Sequence, residues 1–408
     1  MEPAFTPHPP RGPLRGLRVL ELGNFIAAPT AGRLLADFGA DVVKIERPGR
    51  GDELRRWRLH RGDTSMLFRV MNRNKKSVSL NLSTAAGQAI CRDLLRTTDV
   101  LLENFRPGVL ERWGLGPEQL REINPELVVV RISGYGQSGP YRDRPGFGGV
   151  AEAIGGLRQL TGYPDRPPTR VGVSVADSVA GLYGVIGALM ALHRRSRDGA
   201  GEVVDVALFE GIYSLMESLV PDYDAFGVEP ERLGSGLQGI APSNTYRCAD
   251  GKYAVISGNG DAIYRRLMDL IGRPDLADDP QLADNAGRVE RAAELDEAIE
   301  RWTLTLSCKD VLRALEDVSV PSGPIYTASD ILADPHYAAR GMHERHIVEL
   351  DAGEKAEVTF PGVVPALQQA PGGTRWLGPE LGEHTDDVLA ALGIGHEDRE
   401  RLRTEGVL

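Results

Sequence analysis

Asp177 carries the strongest case for chemistry. In Arg170-Val-Gly-Val-Ser-Val-Ala-Asp177-Ser-Val-Ala-Gly181 an apolar extended stretch runs straight into a long helical pattern. Two readings compete at that boundary. Aspartate is an excellent helix N-cap, because its oxygen accepts from the unpaired N–H groups of the first turn. Alternatively, Gly172, Ala176, Ala180 and Gly181 leave room for a ligand, and a helix N-terminus stabilises negative charge on a reacting acyl oxygen. A carboxylate needs no deprotonation to act as a nucleophile at neutral pH.

A second set of residues suits a polyanion. Asp41-Val-Val-Lys-Ile-Glu-Arg47-Pro-Gly49 and Asp99-Val-Leu-Leu-Glu-Asn104-Phe105-Arg106-Pro-Gly108 are both strands that run into an arginine and a turn. The planar guanidinium fork matches phosphate, and Phe105 between polar neighbours can stack on a purine. The alternative is that Arg-Pro-Gly only ends a strand and Phe105 is core. Lys44 to Lys76 holds 11 basic residues against Glu46, Asp52, Glu53 and Asp63, a balance of 11 − 4 = +7. Such an island either meets a polyanionic ligand or is a solvated surface paired with acids elsewhere.

Other motifs carry less. Gly234-Ser-Gly236-Leu-Gln-Gly239 spells a dinucleotide fingerprint, but Val-Glu-Pro-Glu-Arg stands where the preceding strand should be. It reads instead as a loop whose small residues let the backbone approach a reacting group, or as a surface turn. His343 and His346 lack a third ligand nearby, and His336 follows Pro335 in another turn, so no metal site is expected. Nucleophile elbows, P-loops and HExxH patterns are missing from the sequence.

The elements that must position these residues alternate strand and helix. Strands are expected at Arg18 to Leu22, Asp41 to Ile45, Ser77 to Leu82, Val100 to Glu103, Leu127 to Ile132 and Glu202 to Leu208. Helices are expected from about Ala28 to Phe38, after a Ser83 or Thr84 cap, and from Ser178 to Arg195 with a stop at Gly199. The pattern predicts a mostly parallel α/β sheet with its crevice beyond the C-terminal strand ends. The domain reading is a flexible N-terminus over 1–13, a large Rossmann-like α/β domain over 14–220, a smaller α+β domain with linkers over 221–330, and a return to the large domain over 331–408. A strand pair is expected around Asp250-Gly251, and the tail from Gly382 to Leu408, with a helix over Thr385 to Leu392, reads as polar and surface-lying.

Composition sets the outer bounds. Of 408 residues, 47 are basic and 58 acidic, which gives −11 and excludes a globally basic nucleic-acid binder. Cys91, Cys248 and Cys308 form neither a disulfide framework nor a zinc ribbon, and fit a reducing, cytoplasmic setting. The first residues, MEPAFTPHPPRGPLRG, lack the apolar stretch of a signal peptide, and no run of about 18 uninterrupted apolar residues follows, so neither export nor a membrane is expected.

These signals coincide in a pattern that resembles the family III CoA-transferases, the group of formyl-CoA, carnitine and bile-acid CoA-transferases (CaiB/BaiF). The matching segments are Leu14-Arg-Gly-Leu-Arg-Val-Leu-Glu-Leu22, Gly39-Ala-Asp-Val-Val-Lys-Ile-Glu-Arg47, Asn74-Lys-Lys-Ser77, Glu103-Asn-Phe-Arg-Pro-Gly108, Ile132-Ser-Gly-Tyr-Gly-Gln-Ser-Gly-Pro140, the Asp177 stretch and Leu381-Gly-Glu-His-Thr-Asp386. The resemblance implies that Asp177 attacks a donor thioester, that the mixed anhydride is converted to an aspartyl-CoA thioester, and that an acceptor carboxylate reopens it. It places Arg47, Asn104, Phe105 and Arg112 on CoA, with Arg106 and Lys75 beside them, and Ile26, Tyr135, Gln137, Gly234, Gly236 and Gly239 around the reacting acyl group. CoA is then a substrate moiety; no metal, no tightly bound cofactor and no nucleic acid is implied. The family fold further implies a homodimer of interlocked rings.

Formyl-CoA transferase carries glutamine where this chain has Ile26, which turns the expectation from formate and oxalate to a larger acid. Thr169-Arg-Val-Gly-Val-Ser resembles the branches that use dicarboxylates, so succinyl-CoA with a dicarboxylic acceptor is the preferred pair. The alternatives are a 2-methylacyl-CoA racemase on the same fold and a non-enzymatic acyl-CoA-binding protein. The resembling racemases carry histidine after the Ile-Ser-Gly turn, where this chain has Tyr135, a poor base at neutral pH.

Overall fold

A computed structural model describes residues 12–61, 64–350 and 353–408. Most of the expected flexible N-terminus, and Asp63 of the basic run, lie outside the described residues. The chain forms two compact units, one from the residues up to Leu157 with Val171–Glu217 and His336–Leu408, the other from Arg158–Arg170 and Ser218–Pro335.

The first unit is built on a six-stranded sheet of β1 (Arg18–Glu21), β2 (Asp41–Glu46), β3 (Lys75–Ser79), β4 (Val100–Glu103), β5 (Val128–Ser133) and β6 (Glu202–Ala207). Every pairing is parallel, in the order β3-β2-β1-β4-β5-β6. The central strands are near-continuous apolar runs because helices cover both faces; all residues of β4 and β5 are buried. From β1 the chain steps outward to β3 and then returns to the far side of β1 for β4. The chain therefore leaves β1 and β4 in opposite directions along the sheet, which makes their C-terminal ends a switch point.

The covering helices are α1 (Ala27–Asp37), α2 (Ala85–Leu95), α3 (Gly148–Ile154) and α4 (Val175–Asp198). Thr84 caps α2 by accepting from Gly87 N–H, as its sequence position indicates. Helix α4 is long and apolar enough to cross a membrane by length and composition. Its buried stripe of Ala176, Ala180, Gly181, Gly184 and Ala188 instead packs on α1 and β5, where a Cβ at Gly181 would come within 2.7 Å of the Ala27 carbonyl. Small residues are what allow that approach.

The second unit has its own core around the antiparallel strands β7 (Ser243–Arg247), β8 (Tyr253–Ser257) and β9 (Ser322–Pro324), ordered β9-β8-β7. Tyr246, Leu267, Leu295, Ile299, Val311 and Leu315 join this sheet to α5 (Asp261–Leu270), α6 (Ala292–Thr303) and α7 (Cys308–Asp317). The turn between β7 and β8 uses Gly251 at φ 78°, a left-handed value that glycine adopts without strain.

The chain then returns to the first unit as the hairpin β10 (His343–Glu349) and β11 (Lys355–Pro361), followed by α8 (Thr385–Ala391) and α9 (His396–Thr404). An i, i+3 pair on a strand points to opposite faces. His343 accordingly stacks on Tyr337 while His346 meets Phe360 edge-on. The tail is not surface-lying as its polarity suggested. Val388, Leu389, Leu402 and Val407 are buried in the same core as Leu80 and Leu94, and Asn81 N–H donates to the Val407 carbonyl. A few apolar residues on one side of each helix suffice for this. The tail also shortens β3: it ends at Ser79, because Asn81 is bonded to the tail instead of continuing a strand to Leu82.

Candidate active site

Helix α4 begins at Val175, so Asp177 is the third residue of its first turn, and Ser174 occupies the N-cap without a side-chain capping bond. This corrects the capping reading. The half-buried carboxylate is directed at the start of α3: a Cβ added to Gly148 would lie 2.1 Å from Asp177 Oδ2 and 2.8 Å from its Cγ. Position in the first turn also favours negative charge through the helix dipole. Gly146, two residues earlier, packs on Gly134 at the exit of β5, where an added Cβ would stand 2.9 Å from the Gly146 Cα. The 146–148 segment thus meets Asp177 on one side and the turn after β5 on the other, with glycine at each contact. The sequence reading missed the 146–149 segment, whose signal was Gly-Phe-Gly-Gly directly before a helix.

The turn after β5 is pinned by Asp205 of β6, which accepts from Gln137 N–H at 2.9 and 3.1 Å. Among the described residues nothing accepts from the buried Gln137 Nε2, which leaves a donor at this turn. Tyr135 packs between Tyr141 and Phe209, with ring centroids at 6.0 and 6.2 Å.

The loop from β1 into α1 departs from expectation. Ile26, expected to face the acid, is 6% exposed and packs with Leu54, Phe68 and Met71. The loop presents Phe25 instead, held at φ 62°, with Trp57 and Phe147 at centroid distances of 5.0 and 5.8 Å. Asn104, expected on CoA, spends its amide on this loop: Oδ1 accepts from Asn24 N–H at 2.9 Å and Nδ2 donates to the Asn24 carbonyl at 2.7 Å.

Beside the loop lies a cleft of about 220 Å³ lined by Leu22, Arg47, Leu82, Ser83, Phe105 and Trp113, at the C-terminal ends of β1, β2, β3 and β4. Phe105 stands edge-on to Trp113 at 5.2 Å and is partly buried against the core, while its ring also lines the cleft. Arg47, Arg106 and Arg112 are exposed.

Lys75 does not belong to this surface. It is fully buried, and its ammonium is committed to Glu21 at 2.7 Å, the Pro29 carbonyl at 2.9 Å and Asn72 Oδ1 at 3.0 Å. Glu21 also pairs with Lys44 at 2.9 Å, and Lys44 with Asp52 at 2.9 Å. Burial alone would raise the Glu21 carboxyl, but Lys44 and Lys75 outweigh it and hold it below the usual range. Burial pushes the Lys75 ammonium down to about 8 against the pull of Glu21. Arg55 with Glu46 and Arg73 with Asp37 complete an interior set of pairs. Much of the +7 island is therefore neutralised inside the fold, and among the described side chains Arg47, Arg50, Arg56 and Arg58 are its exposed basic groups.

In the second unit the glycine segment is tethered at both ends. Gly234 N–H donates to the Gly162 carbonyl at 3.0 Å, beneath the Tyr163 ring, while Asn285 Nδ2 donates to the Gly239 carbonyl at 2.7 Å. Gly234 and Gly239 adopt φ 66° and 72°, and Ser235 between them bonds to Asn244 at 2.6 Å. Gly236 is not left-handed; a Cβ there would meet only ordinary contacts, at 3.4 Å or more.

Comparisons with known proteins identify the family. The family model described as CoA-transferase family III matches residues 14–385. A succinyl-CoA–D-citramalate CoA-transferase of Chloroflexus aurantiacus is 46% identical over 98% of this chain and 99% of its own. A succinate–glutarate CoA-transferase of Agrobacterium fabrum is 38% identical over 93% of this chain and 96% of its own. The crystal structure of a CAIB/BAIF family protein from Brucella suis superposes with a TM-score of 0.81 at 36% identity, covering 94% of this chain and all of that one. With the parallel sheet, the cleft at its switch point and near end-to-end matches to named transferases, the chain belongs to CoA-transferase family III and is a CoA-transferase.

Proposed function

We propose that the protein moves CoA from succinyl-CoA to a dicarboxylic acid through a covalent intermediate on Asp177. The observation that carries this reading is the Asp177 carboxylate set against the Gly148 backbone, where a reacting carbonyl can approach without meeting a side chain. An Asp177 oxygen attacks the donor thioester carbonyl and expels CoA thiolate, forming a mixed anhydride. Thiolate then attacks the aspartyl carbonyl and releases succinate, leaving aspartyl-CoA. The acceptor carboxylate repeats these two steps in reverse order, so that CoA leaves on the new acid and Asp177 is regenerated. The buried Gln137 Nε2 supplies a donor for an acid oxygen.

CoA lies in the cleft, with its adenine against Phe105 and Trp113 and its phosphates on Arg47, Arg106 and Arg112. Asn104 acts by holding the neighbouring loop. Citramalate and glutarate, named for the two relatives, are both dicarboxylic acids and support the acceptor class. Leu182, Ile186, Leu189 and Met190 are exposed on α4 and offer an apolar face for the second subunit of a homodimer. The buried free thiols of Cys91, Cys248 and Cys308 fit a cytoplasmic setting.

A matrix of acyl-CoA donors and free acids, read by mass spectrometry, tests the substrate claim. Fastest turnover is expected for succinyl-CoA with a four- to six-carbon dicarboxylate (about that length, by the relatives' acids). Faster transfer to monocarboxylates throughout would overturn it.

A further inference from the structure

The strained loop after β1 is held by side chains at four successive backbone groups. Lys44 donates to the Gly23 carbonyl, Asn104 takes both the N–H and the carbonyl of Asn24, and Asp52 Oδ1 accepts from Phe25 N–H at 3.1 Å. The same Asp52 oxygen accepts from Leu54 N–H at 2.9 Å, capping the short turn Glu53–Arg56 that delivers Trp57. Asp52 N–H in turn donates to Glu46. A phenylalanine at φ 62° is costly, and such a conformation persists only where its surroundings over-determine it. What the clamp secures is the position of one ring. Phe25 sits against Trp57 and Phe147, and Phe147 immediately precedes the glycine whose backbone meets the Asp177 carboxylate.

We infer that Phe25 is a water-excluding residue of the reacting centre, and that Asp52 and Asn104 are positioning residues acting through it. This inference rests on the aspartyl-CoA reading. Anhydride and thioester on Asp177 are both open to water, which would add across either bond to return the free carboxylate and release succinate or CoA thiol. Each such event loses the donor without making product. An aromatic wall of Phe25 on Phe147, the residue next to the glycine that meets the carboxylate, removes volume that water would occupy and leaves the charged ends of the acid to polar groups elsewhere. A merely structural aromatic would not need a left-handed backbone, since the neighbouring Ile26 already fills the apolar pocket below.

Phe25→Gly separates the two roles, because glycine accepts φ 62° without strain while removing the ring. The variant should stay folded, with a melting temperature lowered by the lost ring contacts, while the ratio of donor hydrolysis to transfer rises about tenfold. Asp52→Asn, which keeps an acceptor but loses charge, should raise the ratio less, and Phe25→Leu should restore most of the parent value. Succinyl-CoA is incubated with and without acceptor, and free CoA, new acyl-CoA and the Asp177 adduct are followed by mass spectrometry. An unchanged ratio in a well-folded Phe25→Gly protein overturns the inference, as does a fall in melting temperature that Phe25→Leu repairs without changing the ratio. If the parent shows no donor-dependent adduct on Asp177, the underlying reading fails instead.

Discussion

Replacing Gly148 by alanine should nearly silence the enzyme without unfolding it. A methyl there would stand 2.1 Å from Asp177 Oδ2, whereas carbon and oxygen approach no closer than about 3 Å, so one of them must give by about 1 Å. The carboxylate is the far end of a flexible side chain and yields first. Gly148 is the first residue of α3 and its φ is not left-handed, so the backbone accepts alanine, which gains up to about 1 kcal/mol of helix propensity. Misplacing a nucleophile by about 1 Å costs on the order of 100-fold in rate, or about 2.7 kcal/mol of barrier. Circular dichroism melting and steady-state transfer measured on one preparation give both numbers. The expected result is an unchanged or raised melting temperature with kcat down about 100-fold. A folded Gly148→Ala protein with parental kcat would refute the placement of Asp177 against this glycine as the working geometry.

Three further outcomes follow from the site. Asn104→Ala removes two hydrogen bonds to the loop and should cost about 1–3 kcal/mol in urea unfolding, and Asn104→Asp should cost at least as much, because a carboxylate oxygen would face the Asn24 carbonyl where the amide donated. A CoA contact alone would leave stability untouched. Arg47→Ala should weaken binding of CoA about tenfold, and by less for a CoA lacking its 3′-phosphate, as measured by calorimetry. Glu21 is held below the usual carboxylate range by Lys44 and Lys75, so its contribution is present above the unfolded value of about 4.3 and is lost as pH falls through the folded one. Glu21→Gln should therefore cost about 3–5 kcal/mol near neutrality, and should flatten the fall in stability on the acid side when unfolding is followed in steps of pH.

The strands of the sheet were legible because their apolar runs are buried on both faces, and β4 and β5 fall within a residue of their expected places. The start of α4 was set three residues late, since Val175 and Ala176 look extended and Ser174 makes no side-chain cap to mark the boundary. That error made Asp177 look like a cap. Lys75 looked like a ligand because nothing in a sequence shows that Glu21, 54 positions away, will take its ammonium into the core. The exchange of Phe25 for Ile26 depends on one backbone angle, fixed by Asp52 and Asn104 from distant parts of the chain. The contact of Gly148 with Asp177 likewise joins segments that only the sheet topology brings together.

The most direct measurement is of the bond itself. The protein is incubated with succinyl-CoA and quenched with hydroxylamine, which converts an aspartyl thioester or anhydride into a hydroxamate of distinct mass, and the peptide spanning Asp177 is sequenced by mass spectrometry. The account predicts a donor-dependent hydroxamate on Asp177, cleared when a dicarboxylic acceptor precedes the quench, and neither adduct nor transfer in a folded Asp177→Asn protein. Substantial transfer by that variant, or a donor-dependent adduct on any other residue, would contradict it.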